Sequence, residues 1–427
     1  MPEFITTTIG CKVNQCESES IAKSMISSGW TESVDKTGAD VCIINTCTVT
    51  QKASMQSRQA IRQAIRSNPE ALIIVTGCYA ETEPDELNKI GGISLIIGNK
   101  EKEKIAEIIK SVFESRAHSG TPAPAVRQGG RTRAFLKIQD GCDSFCTYCI
   151  VPYARGKSRS VQVQSVIESV NALKKAGYRE VVLSGIHLGK FGQDLFPAAT
   201  LTELLELITN PSLIDRVRLS SIEPNELTPE IIKLAAESGK ICHHFHIPLQ
   251  SGDNGILKRM HRPYSREYFK DLVLLIKESM PDAAIGVDIL AGFPGETDDA
   301  FRNTYSLIEE LPVSYLHVFP FSARKKTPAF DYPEQVPASV IKERCTQMRR
   351  LGESKKADFY QKAVGTVTDI LIEEKRDEKS GLLKGISSNY ISVLIAGNER
   401  IKNRIVKVRI NKVIGKSAKV ETEDGKI

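Results

Sequence analysis

FLKIQDGCDSFCTYC, residues 135–149, runs from a short β-rich stretch into three cysteines, Cys142, Cys146 and Cys149, spaced C-x3-C-x2-C. Thiolates this close together, on a loop at the C-terminal end of a strand, can converge on one metal centre. Three of them leave a four-iron cluster with one iron that has no protein ligand, and such an iron can bind a substrate or cofactor. Phe145 and Tyr148, set between the cysteines, are placed to shield a cluster from water. The competing readings of the triplet alone are a zinc site, which usually recruits four ligands, and three unrelated buried cysteines.

Outward from this loop the chain alternates strand and helix. Strands are predicted at 134–138, 180–183, 216–219, 244–247, 284–289 and 314–318, with helices at 161–176, 201–208, 229–237, 266–278 and 298–311 between them. Six βα units are too few to close an eight-fold barrel, so an open (β/α)6 barrel is expected. The N-terminal segment has the same rhythm on a smaller scale. Buried strands at 4–8, 41–45, 72–76 and 94–97 and helices at 17–28 and 53–66 imply a small parallel sheet covered by helices. Gly, Pro and polar residues dominate HSGTPAPAVRQGGR, 118–131, which reads as a linker. After a charged helix over 334–363, the runs GTVTDILIEE, NYISVLIAG and RIVKVRINKVIG alternate apolar and polar residues, as expected of a small antiparallel barrel. The fold class is therefore α/β. Its domains are 1–118, a linker at 119–132, a core with its trailing helix at 133–362, and a terminal barrel at 363–427.

Composition narrows the function classes. No run approaches the roughly 18 to 20 apolar residues of a membrane span, and MPEFITTTIG lacks the pattern of a secretory signal, so a cytoplasmic protein is expected. In a reducing compartment, ten cysteines point to metal ligation or catalysis rather than disulfides. The net charge of +6 is compatible with a nucleic-acid partner. Residues 364–427 carry thirteen Lys/Arg against nine Asp/Glu, so much of that excess lies in the terminal barrel.

A second cysteine set consists of Cys11, Cys47 and Cys78, each just beyond a predicted strand. The C-terminal ends of parallel strands share one edge, where ligands usually bind, so three thiols distant in sequence can meet there. The alternative is three isolated core cysteines. Cys42 lies inside a strand and reads as an apolar residue; Cys16, Cys242 and Cys345 have no partner pattern.

The triplet matches the signature of the radical SAM superfamily, in which the open iron binds the amino and carboxylate groups of S-adenosylmethionine (SAM). Taken with Gly10-Cys11-Lys12-Val13-Asn14-Gln15, Asn45-Thr46-Cys47-Thr48-Val49-Thr50 and Gly77-Cys78-Tyr79-Ala80, it resembles the methylthiotransferase family across essentially the whole chain. The first of these segments, with Thr-Val-Thr after Cys47 and RQAIRQAIRSNP at 58–69, looks like the MtaB-type branch. Cys16 departs from that pattern, which has an aromatic residue there. The resemblance implies two 4Fe–4S clusters, one on Cys142, Cys146 and Cys149 that reduces SAM and one on Cys11, Cys47 and Cys78 that delivers sulfur. It implies methylthiolation at C2 of N6-threonylcarbamoyladenosine beside the tRNA anticodon, with a second SAM as methyl donor. A TRAM-like, RNA-binding terminal barrel, a flavodoxin- or ferredoxin-type electron donor and a monomeric state go with it. The alternatives are isopentenyl-adenosine in tRNA or a ribosomal-protein aspartate as substrate, or an iron–sulfur RNA-binding or redox-sensing protein without turnover.

Cofactor ligands are expected at the strand ends of the barrel. Gly185 would admit a close backbone approach, Glu223 and Gln250 would hydrogen-bond the ribose or the methionine end, and Asp288 precedes the AGFPGE turn. The histidines of HHFH, 243–246, read as packing or supporting groups rather than ligands, and the cations of YARGKSRS, 153–160, either as support for substrate or cluster or as a surface loop.

Overall fold

The computed structural model describes residues 1–35, 37–114, 132–210, 212–415 and 417–422; of the expected linker only Thr132 falls within them. The chain forms two compact units. The first joins the N-terminal segment to Asp140–Lys157 and Ser322–Phe330, and the second contains the remainder of the core and the terminal barrel. The triplet-bearing loop thus belongs with the N-terminal segment, whereas the sequence reading grouped it with the core.

In the first unit β1 (Glu3–Thr8), β2 (Thr31–Glu32), β3 (Val41–Thr46), β4 (Leu72–Gly77) and β5 (Leu95–Ile97) form a parallel sheet of order β2-β1-β3-β4-β5. Helices α1 (Lys12–Ser27), α2 (Gln51–Ser67), α3 (Cys78–Thr82), α4 (Pro84–Asn88) and α5 (Ile105–Glu114) complete its crossovers. All residues of β3 and β4 are buried, because both faces of the sheet are covered. Val41, Ile43 and Ile74 pack with Ile21 and Met25 of α1 and Ile109 of α5. Ile44, Ile73 and Val75 pack with Ile61 of α2, Tyr79 of α3 and Leu87 of α4. A side chain caps the start of α2, where Thr50 Oγ1 accepts from the Ala53 N–H.

The second unit begins with β6 (Arg133–Lys137). The triplet loop follows, flanked in sequence by β7 (Gln139–Asp140) and β8 (Arg159–Ser160) and ending in α6 (Val151–Arg155). The chain then alternates through α7 (Val163–Lys175), β9 (Glu180–Ser184), α8 (Leu201–Ile208), β10 (Arg216–Leu219), α9 (Pro229–Ser238), β11 (His244–Gln250), α10 (Asn254–Arg259), α11 (Arg266–Ser279), β12 (Ala284–Ala291), α12 (Asp298–Glu310) and β13 (Tyr315–Pro320). Two parallel sheets, β10-β9-β6 and β11-β12-β13, are joined by single bridges from Val217 to Ile241 and from Ser221 to His246. Among the described residues no ladder joins β6 to β13, so the six-stranded arc is open, as the βα count predicts. Alternation along the strands divides its two faces. Val181, Leu183, Val217, Leu219, Phe245, Ile247, Ile285 and Val287 join the helix-facing core. The intervening residues Glu180, Arg216, Arg218, His244, His246, Asp288, Tyr315 and His317 make the concave face polar.

The long helix α13 (Ala338–Lys362) leads into β14 (Val367–Arg376), β15 (Leu383–Ser387), β16 (Ser392–Ile395), β17 (Ile405–Ile414) and β18 (Ser417–Thr422). These close a barrel in the order β14-β15-β16-β18-β17. Its pairs are antiparallel except β16 with β18. The small antiparallel barrel expected from the sequence is present, and its one parallel pair arises because residues 396–404 cross over instead of forming a hairpin. The barrel docks on the arc through backbone carbonyls: Arg218 donates to Ser388 O (2.9 Å) and Ser387 O (3.1 Å), and Arg216 to Asp369 O (3.0 Å). Both guanidinium groups also reach the fully buried Glu180, Arg218 Nε at 2.7 Å.

Removing one partner from a buried charge network costs about 3–5 kcal/mol, because the other charge stays buried. Glu180→Ala is therefore expected to lower the melting temperature of the anaerobically purified protein by several degrees, read by circular dichroism. An unchanged melting curve would show that Glu180 is not needed to hold the two arginines.

Candidate metal centre and cofactor site

The first unit brings Cys11, Cys47 and Cys78 together at one sheet edge. Strands β1, β3 and β4 are adjacent and parallel, and each cysteine follows one of them, directly or within three residues. Cys11 is the N-cap of α1 and Cys78 the first residue of α3. Glycine makes the convergence possible. Gly10 has φ +108°, and a Cβ there would lie 2.7 Å from Cys47 Cβ and 2.9 Å from its Sγ. Gly77 has φ +99°, and a Cβ there would lie 2.3 Å from the Thr46 carbonyl oxygen. Both positions also adopt backbone geometry that L side chains avoid.

The three thiols form no disulfide. Burial pushes the Cys47 thiol up to about 11, with the charges of Cys78 and Cys11 adding to the rise and Arg155 opposing it. Burial also raises Cys78, against the lowering effect of Arg155 and Lys102. Thiols in such surroundings stay protonated in water but ionise on a metal, which deprotonates a coordinating thiol outright. An all-sulfur donor set of this kind suits iron–sulfur or zinc chemistry.

Arg155 is the cation of this site. It lies in α6, after the triplet, and only 4% of it is exposed. It donates to Glu17 Oε1 (2.8 Å), Asp140 Oδ1 (2.9 Å) and Asn14 Oδ1 (2.5 Å). Lys102 Nζ completes the network at Glu17 Oε2 (2.6 Å). Asn14 in turn donates to the Ile9 and Thr46 carbonyls, beside Cys11 and Cys47. The sequence left Arg155 between support for substrate or cluster and a surface loop; burial excludes the surface loop. Arg324 adds a third buried cation, donating to Ser54 Oγ at 3.0 Å.

Cys142, Cys146 and Cys149 share one loop in the same unit. It is pinned by Cys142 N–H to the Gly156 carbonyl (3.0 Å), Cys149 N–H to the Cys146 carbonyl (2.9 Å) and Ala329 N–H to the Thr147 carbonyl (2.8 Å). Phe145 is 50% exposed and meets Tyr153 edge-on. In the second unit, Gly185, Glu223 and Gln250 lie at or just past the C-terminal ends of β9, β10 and β11. A Cβ on Gly185 would lie 2.9 Å from Gln139 Oε1. Glu223 is ion-paired with Arg262, and burial still raises its carboxyl. Gln250 has φ +68° at a β-bulge, a strained conformation of the kind that clusters at functional sites. Asp288 lies inside β12, away from that edge, and bonds to His246 and His317.

Each cysteine set falls within a segment that matches a known family model. Residues 3–98 match the model described as "Uncharacterized protein family UPF0004", and residues 136–308 match the radical SAM superfamily. The threonylcarbamoyladenosine tRNA methylthiotransferase MtaB of Bacillus subtilis is 40% identical over 95% of this chain and 93% of its own length. This chain belongs to the radical SAM methylthiotransferase family. A tRNA-2-methylthio-N(6)-dimethylallyladenosine synthase from Clostridium tetani is 33% identical over 98% of the chain and 96% of its own. Among solved structures, the radical S-adenosylmethionine methyltransferase TsrM from Kitasatospora setae shares the fold. It has a TM-score of 0.58 and 16% identity over 77% of this chain and 75% of its own.

The cofactors of this methylthiotransferase are two 4Fe–4S clusters and SAM. Two groups of three thiols, each able to leave one iron open, fit them. The sequence singled out the candidate ligands and left Arg155 undecided, but missed Lys102 and Glu17 as its buried partners, since an isolated charge in sequence looks like surface. Gly77→Ala is expected to lower iron in the anaerobically reconstituted enzyme from about eight to about four per chain while sparing the triplet cluster. Full iron retention in colorimetric assay would show that the close approach at Gly77 is dispensable.

Proposed function

We propose that this methylthiotransferase acts on tRNA and places a methylthio group at C2 of N6-threonylcarbamoyladenosine beside the anticodon. The observation that carries this is the pair of three-cysteine sets within one compact unit, in a chain whose relatives of 36–40% identity are named for that nucleoside. An aromatic C–H is too inert for acid–base chemistry, so a cofactor must carry the hard step. When bound, the clusters and SAM supply a radical that removes the C2 hydrogen and the sulfur and methyl group that replace it. The chain's own residues hold and orient. Cys11, Cys47 and Cys78 hold the sulfur-delivering cluster and Cys142, Cys146 and Cys149 the SAM-binding one. Arg155 and Lys102 keep positive charge beside Cys78. Gly185, Glu223 and Gln250, at one edge of the arc, are the residues we assign to SAM.

The terminal barrel is the part suited to the phosphate backbone. Along β17, Lys407, Arg409 and Lys412 are exposed while Val408 and Ile410 face the barrel core. A strand of this kind displaces counterions from phosphates, which makes binding salt-dependent.

Nucleoside mass spectrometry of tRNA from a strain lacking the gene tests the substrate. Unmodified N6-threonylcarbamoyladenosine should replace its 2-methylthio derivative. Loss of the methylthio-isopentenyl nucleoside instead would reassign the substrate, and loss of neither would remove tRNA from the account. For the barrel, Lys407→Ala with Arg409→Ala should weaken tRNA binding at low salt and flatten the log–log salt slope by about 0.9 for each phosphate no longer neutralised. An unaltered slope in filter binding would exclude β17 from the interface.

A further inference from the structure

The concave face of the arc carries a donor cluster separate from the cysteines. His246 stands on β11, Asp288 on β12 and His317 on β13. The parallel register sets Asp288 opposite Pro248 and His317, and His246, two residues before Pro248, shares their face. His246 Nε2 lies 2.7 Å and His317 Nδ1 3.2 Å from Asp288 Oδ1. One donor atom from each residue lies within 4.8 Å of the other two.

We propose that His246, Asp288 and His317 form a binding site for a divalent transition-metal ion of the zinc class inside the barrel. Two imidazoles and one carboxylate are a donor set for borderline divalent ions, and three protein ligands leave positions open. Magnesium and calcium prefer all-oxygen shells and fit poorly. The support around the ligands is that of a built site. His246 Nδ1 lies 2.7 Å from Ser221 Oγ, so the ring is held by its far nitrogen, as metal-binding histidines usually are. The three residues sit on neighbouring strands, a more rigid scaffold than loops. His317 is 51% exposed, which leaves an approach for an oxygen-donor group. The ion needs neither the cysteines nor a particular nucleoside.

The test uses the full-length enzyme with both clusters reconstituted, so that the cysteines are occupied. Zinc chloride is titrated anaerobically, and zinc and iron are counted by mass spectrometry after desalting, with affinity from calorimetry. One zinc per chain is expected in the wild type with iron unchanged. His246→Ala and His317→Asn should each weaken zinc binding at least about 100-fold, the upper end of the loss from removing a mere outer-shell partner. His317→Asn keeps a polar group for Asp288, so its fold is expected to survive, checked by unchanged iron content and circular dichroism. Ser221→Ala should weaken binding about 10- to 100-fold. Zinc uptake equal in wild type and His317→Asn, no uptake by the wild type, or uptake matched by iron loss would each overturn the site.

Discussion

A single guanidinium holds the candidate metal centres in register. Arg155 follows the triplet cysteines in the chain, yet its hydrogen bonds go to Asn14 and Glu17 on the first helix of the N-terminal sheet and to Asp140 at the start of its own loop. Asn14 anchors the backbone beside two of the other cysteines. A charge this deeply buried is tolerable only with its partners in place, so the loop and the sheet edge must assemble as one piece. That explains why residues 140–157 leave the core with which they are contiguous in sequence.

The second unit follows a different logic. A closed barrel fills its centre with branched apolar side chains. Here most of the large apolar residues of the strands turn outward to the helices, and the inner face carries acids, histidines and arginines. Stability comes from the outer layer, which leaves the inner face available for chemistry. The same alternation explains why the inner acids and bases find one another: buried on one face, each satisfies its hydrogen bonds with a neighbouring strand.

Much of this was legible in the sequence. Strands such as Val41–Thr46 and Arg216–Leu219 were found within a residue or so, because a buried apolar run between turn residues has few other readings. The candidate ligand cysteines stood out because three of them recur at strand ends and three crowd one short loop, and Gly10 and Gly77 were part of the motif before their steric role was visible. What escaped depended on pairings distant in the chain. Arg155 and Glu17 are 138 residues apart, and neither advertises its partner. HHFH was read as packing or support: His246 proves to face inward because Phe245 and Ile247 take the helix side. The crossover that makes β16 and β18 parallel was hidden too, since local alternation does not specify which strand lies alongside.

The docking of the terminal barrel has an evolutionary consequence. Arg216 and Arg218 grip main-chain oxygens of residues 369, 386, 387 and 388, and Arg218 also lies over the ring of Tyr390. Any sequence that folds to the same backbone presents those oxygens. Substitutions on the barrel's solvent side are therefore uncoupled from its attachment, and selection can retune its charge for a new polyanion while the joint to the core stays intact.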